Sequence, residues 1–341
     1  METEILKVTD KNIGAAAKKA AGILLSGGLV GLPTETVYGL AANAYNVEAV
    51  RRIYRVKGRP QDNPLIVHVS DFVMLNDIAQ LNARAVELAR VFWPGPLTMV
   101  LTKKPVIDPA VNCGLPTVAV RMPSHPVALA VIAEADVPLA APSANLSGRP
   151  STTTAQHVLD DHNGRIPLVL DGGSCEVGVE STVISLVGRH PVILRPGIIS
   201  LENIRDVFPD AEYSDAVFSE VQSILPAESP GTKYKHYAPR AEVVVVKSTL
   251  EQFTEYVSVR AGDGVCAMCF DGEQEDIQIP SVSYGRINDG FSQARRLFTV
   301  LRMMDKLGSV RVFVRAPDDT NESMAVFNRL IRASDFQLVE L

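Results

Sequence analysis

One interruption limits what this chain can fold into. Short apolar runs alternate with helical stripes on both sides of a stretch from Val207 to Arg240, where the pattern lapses among Pro209, Pro226, Pro230, Gly231 and Pro239. A structureless stretch of that length is uncommon inside one compact domain. The spacing therefore predicts two folding units joined by a linker, and 341 residues are enough for each to bury a core.

Composition narrows the class. With 46% hydrophobic and 21% charged residues the chain is neither disordered nor fibrous. The start, METEILKVTD, lacks the apolar region of a secretory signal. The early apolar stretch Ile23 to Leu32 is broken by Ser26, Gly27, Gly28 and Gly31, and is far shorter than the roughly 20 residues of a membrane span. Four cysteines make no disulfide framework in a chain this long, so a reducing cytoplasm is expected. The net charge of −6 sits mostly beyond residue 210 and argues against a general nucleic-acid coat protein.

Before the linker the periodicity predicts helices over 12–26 (Asn12 as cap), Val47–Val56 (Gly58 as stop) and Leu81–Phe92. GLVGLP, ended by Pro33, reads as a strand feeding a turn. Further strands are expected at Leu65–Val69, Leu97–Thr102, Val118–Arg121, Leu139–Ala141, Leu168–Leu170, Thr182–Leu186 and Val192–Leu194. This is an α/β sheet whose strand-end loops can form a site. After the linker, strands at Glu242–Val246, Val265–Phe270 and Val310–Val314 alternate with helices at Leu250–Val259, around Phe291 to Leu307, and at Ala325–Ile331. That is a smaller βαβ unit. Lys247-Ser248-Thr249 stands where a glycine-rich turn would follow its first strand, so dinucleotide binding is not expected there.

Several signals read as inert. Cys266 and Cys269 have C-x-x-C spacing but fall inside a strand, with no second pair to complete a zinc site. Cys113 and Cys175 lack a base partner. Gly173 to Gly178 has the first spacing of a P-loop, yet Val179-Glu180 replaces the lysine and hydroxyl that phosphate binding needs. His157 and His162, beside Asp160 and Asp161, read as surface residues.

Other signals carry chemistry. RRIYRVKGR (Arg51 to Arg59) has five cations and no acid, and reads either as a solvated face or as an anion site. Lys57 and Arg59 at a helix-to-loop junction offer a compact charge and a planar fork to one polyphosphate. Asn63 and His68 follow in the same passage. Ser143 and Asn145 directly follow a strand, with little bulk to obstruct phosphate oxygens. Arg121 and Arg195 end strands and Glu180-Ser181-Thr182 opens one; either arginine could instead neutralise a neighbouring carboxylate. SPGTKYKHYAP (Ser229 to Pro239) is dense enough in Lys, Tyr and His to close over an anionic ligand as a lid.

Taken together, LPTETVYGLAANA (Leu32–Ala44), KGRPQDNPLIVHV (Lys57–Val69), FWPGPLTMVL (Phe92–Leu101), APSANLSGRPS (Ala141–Ser151), GVESTVISL (Gly178–Leu186) and LRPG (Leu194–Gly197) resemble the YrdC-like family. The linker motif and the extra unit resemble its longer, two-domain form. The resemblance implies a twisted mixed α/β sheet with flanking helices over 1–207, a linker and active-site lid over 208–240, and a smaller Rossmann-like domain over 241–341. It also implies an activity: L-threonine, bicarbonate or CO2, and ATP are joined into threonylcarbamoyl-AMP with release of pyrophosphate. A partner transferase then passes the threonylcarbamoyl group to a tRNA adenosine beside the anticodon.

Position by position, the resemblance puts Thr36, His68, Arg121, Ala141 and Ser181 around threonine, with Arg121 on its carboxylate. Arg59, Asn63, Thr117, Ser143, Asn145, Ser151, Arg195 and the linker's Tyr234 would hold ATP, and Lys57 with Arg59 would neutralise charge during the reaction. Mg²⁺ would ride on the triphosphate without a protein metal site. His68, water or carbamate chemistry alone could take the amine proton. Two other readings stay open: a salt-sensitive RNA-binding face on Arg51–Arg59, and an ATP-using enzyme on the same scaffold with a different amine.

Overall fold

The computed structural model describes residues 2–218, 237–319 and 321–341, which divide by contact into two compact units. Two short stretches ahead of the linker, Gly148–Ser151 and Val177–Val179, group with the residues that follow it.

In the first unit eleven strands form one sheet among the described residues. Their order is Glu4–Lys7, Leu168–Asp171, Val30–Leu32, Gly39–Asn43, Leu139–Ala140, Ile66–His68, Thr117–Arg121, Leu97–Thr102, Thr182–Ser185, Val192–Arg195, Glu212–Tyr213. The sheet is mixed: Ile66–His68 runs parallel to Thr117–Arg121 and antiparallel to Leu139–Ala140. Its inner strands are largely apolar and buried, as in Leu97–Thr102, buried at every position but the last, while the edge strands Glu4–Lys7 and Glu212–Tyr213 carry charged residues and are partly exposed. Thr98 is the fully buried polar residue of Leu97–Thr102.

Helix Val47–Lys57 shows how local chemistry delivers functional groups. Asn46 caps it by accepting from the Ala49 amide at 3.0 Å, Glu48 sits in the first turn, and Arg55 and Lys57 sit in the last, each charge favourable to the helix dipole. Gly58 ends it at φ +62°, a left-handed conformation that costs glycine least. The chain then turns sharply, bringing Arg59 back toward Asn63.

Two expectations change, and one helix that the periodicity does not announce is present. Asn12 does not cap helix Ile13–Leu25; its carboxamide oxygen accepts from Thr9 N at 2.7 Å, closing the preceding turn instead. Helix Pro126–Ala135, packed against Ile13–Leu25, carries no apolar stripe to betray it because it is apolar almost all round. His157 and His162 are buried, since helix Ala155–His162 turns His157, Val158, Asp161 and His162 inward.

The second unit has a five-stranded parallel sheet in the order Ser281–Ser283, Val265–Cys269, Arg311–Arg315, Glu242–Lys247, Leu338–Glu340. Val244, Val246, Phe253, Val257 and Phe313 form its core. Cys266 and Cys269 lie in a strand, buried and unbridged. Thr249 serves as helix cap, exchanging hydrogen bonds with Gln252. Helix Gly290–Lys306 buries Ala294, Leu297, Leu301 and Met304, while Phe291 and Leu307 of the expected stripe are exposed.

Candidate active site

Strand register sets the first part of the site. His68 pairs with Arg121 across the parallel strands and with Leu139 across the antiparallel ones, so an imidazole and a guanidinium end adjacent strands side by side. Both are buried. Ala141 follows the same edge, its amide donating to Ile66 O at 2.9 Å.

Arg121 is held from three directions. Its Nε donates to Gly95 O at 3.2 Å, its Nη1 donates to Thr36 Oγ1 at 2.8 Å, and its Nη2 lies 2.6 Å from Glu35 Oε1. The Pro33 turn presents Thr36 by a local bond, Thr34 Oγ1 donating to Val37 O at 2.6 Å. The alternative that Arg121 neutralises a carboxylate is therefore realised, with Glu35, which the sequence reading passed over although it lies inside PTETVYGL. Burial pushes the Glu35 carboxyl up, but the charge and hydrogen bond of Arg121, with backbone hydrogen bonds, more than offset this and hold it below its usual value. For His68, burial first and Arg121 second drive the imidazole down to about 3, so it is neutral near pH 7.

A second cluster centres on Ser181. Its Oγ lies 2.7 Å from Thr98 Oγ1, while Arg195 donates through Nε and Nη2 to Ser181 O at 3.2 and 3.0 Å. Gly197 is required here: a Cβ on it would stand 2.3 Å from the Thr182 amide nitrogen. The Trp93–Pro96 turn ties the clusters together, Gly95 accepting from Arg121 and Pro96 O accepting from Thr182 N at 3.0 Å.

The third cluster joins the basic junction to the Ser143 loop. Lys57 and Arg59, expected as two cations open to one anion, are both engaged with the protein. Lys57 is buried, its Nζ donating to Ser143 O at 2.5 Å and to Asn145 O. Arg59 donates to Asn63 Oδ1 at 2.6 Å and to the carbonyls of Asn63 and Pro64. Ser143 Oγ donates to Asn145 Oδ1 at 2.6 Å. Asn63 Nδ2 is buried with no hydrogen-bond partner among the described residues, a donor left for a ligand.

The remaining positions are more scattered. Thr117 opens the strand beside Leu97–Thr102, its carbonyl accepting from Asn112 at 2.8 Å. Ser151 is buried and groups with the second unit, where Arg302 donates to Ser151 O at 3.3 Å and to Pro150 O at 2.7 Å. Tyr234 and most of the expected lid lie outside the described residues. In the basic run, Arg51 pairs with Glu48 at 2.8 Å and Arg55 lies 4.0 Å from the same carboxylate.

Comparisons with known proteins agree over nearly the whole chain. The Sua5_yciO_yrdC family model, described as "Telomere recombination", matches residues 22–197; one described as "Threonylcarbamoyl-AMP synthase, C-terminal domain" matches 199–335. A Pyrococcus abyssi protein named threonylcarbamoyl-AMP synthase is 41% identical over 99% of this chain and 100% of its own. A Bacillus subtilis protein of the same name is 40% identical, over 99% and 97%. The crystal structure of P. abyssi Sua5 complexed with L-threonine gives a TM-score of 0.93 at 41% identity, covering 99% of this chain and all of that one. Escherichia coli YciO, 23% identical with a TM-score of 0.52 over 57% of this chain, shares the fold of the first unit.

Proposed function

The chain belongs to the Sua5/YciO/YrdC family in its two-domain form, and on that premise we propose that it makes L-threonylcarbamoyl-AMP from L-threonine, bicarbonate or CO2, and ATP, releasing pyrophosphate.

The spare donors of Arg121 carry this reading. A guanidinium has five N–H groups in a rigid fork. In Arg121, Nε and Nη1 each donate one hydrogen bond, to Gly95 and Thr36, and Nη2 forms an ion pair with Glu35; since each terminal nitrogen carries two N–H groups, one on each is left over. Two donors on adjacent nitrogens match the two oxygens of an α-carboxylate. Thr36, His68, Ala141 and the Thr98–Ser181 hydroxyl pair then line the rest of an amino-acid pocket, the hydroxyls suiting threonine's own.

The chemistry needs a neutral amine, which adds to CO2 to give the N-carboxylate. A carbamate oxygen then attacks the α-phosphorus, and the bond to pyrophosphate breaks. Neutral His68 beside Arg121 is a poor place for a second positive charge, so it hydrogen-bonds the substrate while the amine proton passes to bicarbonate or water. Positioning and charge compensation dominate such nucleotidyl transfers. Arg59, Asn63, Ser143, Asn145 and Arg195 hold the nucleotide, with Thr117 adding to its contacts. Lys57 acts from behind, through the Ser143–Asn145 backbone and its own charge.

Mg²⁺ enters with ATP as part of the substrate. It is carried by the phosphate oxygens and water, as a hard, reluctantly dehydrated cation prefers. No described helix is long and apolar enough to cross a membrane. From the resemblance and from cysteines that suit a reducing compartment, we place the reaction in the cytoplasm. The product is a reactive mixed anhydride, to be consumed by a transferase acting on a tRNA adenosine. The RNA-binding reading draws less support, because Arg51 and Arg55 share Glu48. Incubation with ¹³C-bicarbonate tests the proposal: an AMP adduct of threonine carrying the label supports it, and an unlabelled threonyl-AMP contradicts it.

A further inference from the structure

The loop that carries Ser143 and Asn145 is held almost entirely from behind. Its three consecutive carbonyls are all taken: Ser143 O and Asn145 O by Lys57 Nζ, and Ala144 O by His162 Nε2 at 2.7 Å. Two of its amides are taken as well, Ala144 N donating to Tyr38 O at 2.7 Å and Leu146 N donating to Asp161 Oδ2 at 3.1 Å.

This matters for an anionic ligand. A carbonyl oxygen aimed at a triphosphate repels it, whereas hydroxyl and amide donors attract it. Fixing three carbonyls on the protein side turns those acceptors away from an anion, while Ser143 Oγ and the Asn145 carboxamide are held to each other and to Leu146 O. Asp161 and His162 are consecutive, buried, and at the end of helix Ala155–His162, whose start is fixed by Thr154 accepting from His157 N at 3.2 Å. Because a carbonyl only accepts, His162 carries its proton on Nε2. Burial first and nearby Lys57 second hold the ring down to about 4, so it remains a neutral donor near pH 7.

We propose that Asp161 and His162 are positioning residues for the reaction, holding the Ser143–Asn145 loop in the shape that receives the ATP phosphates. The proposal rests on the reading that Ser143 and Asn145 contact ATP.

The test uses the full chain with His162→Ala and Asp161→Ala, their bond-conserving partners His162→Gln and Asp161→Asn, and Ser143→Ala as a check on the premise. KM for ATP is measured beside threonine affinity. Each alanine variant is expected to raise the ATP KM roughly tenfold, the factor that matches about 1.4 kcal/mol. Threonine affinity should hold, and the conserving variants should recover most of the loss. An unchanged ATP KM in both alanine variants, with Ser143→Ala raising it, would overturn the proposal. An unchanged ATP KM in Ser143→Ala as well would remove the phosphate-loop reading beneath it. Equal loss of threonine and ATP binding in all four variants would reduce the pair to a fold-supporting role and also overturn it.

Discussion

Arg121 Nη2 lies 2.6 Å from Glu35 Oε1, with both side chains about 95% shielded from water. The pocket proposed for one carboxylate thus already contains another, ionised and fixed. It aims the guanidinium fork and offsets its charge, leaving two donors for the substrate. Arg121→Ala has two separable consequences. Stranding Glu35 should cost about 3–5 kcal/mol of stability. Losing charge-assisted bonds worth about 1.5–3 kcal/mol should weaken threonine roughly 10- to 150-fold. Adding Glu35→Gln to Arg121→Ala should restore stability in urea titration without restoring threonine affinity in calorimetry. Recovery of both would mean that Arg121 serves only Glu35.

Lys57 Nζ donates to the carbonyls of Ser143 and Asn145, so in the role proposed for it both its charge and its hydrogen bonds should matter. Lys57→Met keeps the stem and removes two charge-assisted bonds. Turnover should fall and the ATP KM should rise, with a stability loss of roughly 1.5–3 kcal/mol per bond lost. Lys57→Arg should not rescue, because a planar fork cannot replace a compact ammonium between two carbonyls in a buried space. Normal turnover in Lys57→Met would contradict the role given to this residue.

Acid should weaken the fold through its buried neutral histidines. Their folded pKa values, about 3 for His68 and about 4 for His162, lie below the ordinary value of 6.5. Between those limits the unfolded chain binds more protons, so stability is greatest above pH 6.5 and falls as pH drops toward 4 and then 3. The slope per histidine is at most about 1.4 kcal/mol per pH unit. Glu35, lowered from 4.5, adds a loss at the acid end as pH falls through its folded value. Urea midpoints should therefore decline from pH 7 to pH 5, and less steeply in His162→Gln. A flat profile would contradict the buried neutral state.

Gly197→Ala tests the closeness of the Arg195 turn to Ser181. The added methyl would stand 2.3 Å from Thr182 N and 2.6 Å from Thr182 Oγ1, so the turn must shift. Overpacking of this kind costs about 1–3 kcal/mol, and displacing Ser181 should weaken both substrates. Unchanged kinetics would show that the turn does not position the site.

Much of this was legible in the sequence, for local reasons. Helix Val47–Lys57 announces itself by its spacing and its glycine stop, which is why the Lys57–Arg59 junction could be placed. Arg121, Ser181 and Arg195 stood out as polar groups bordering apolar strands. The omissions share a cause: burial of a polar residue depends on partners distant in sequence. Thr98 sits in an apolar strand without local sign that Ser181 lies opposite it. Asp160-Asp161-His162 looks like a solvated face, and only tertiary packing turns two of the three inward. Strand Gly39–Asn43, made largely of small residues, lacks the β-branched side chains that mark a strand. Composition also could not reveal that Lys57 spends its charge on carbonyls of its own chain.

Pyrophosphate release from Mg-ATP, measured with each component left out in turn, tests the central claim most directly. The account predicts release only when L-threonine and bicarbonate are both present, with serine and valine poor substitutes. Release that persists without bicarbonate, or that another amino acid supports equally well, would contradict it.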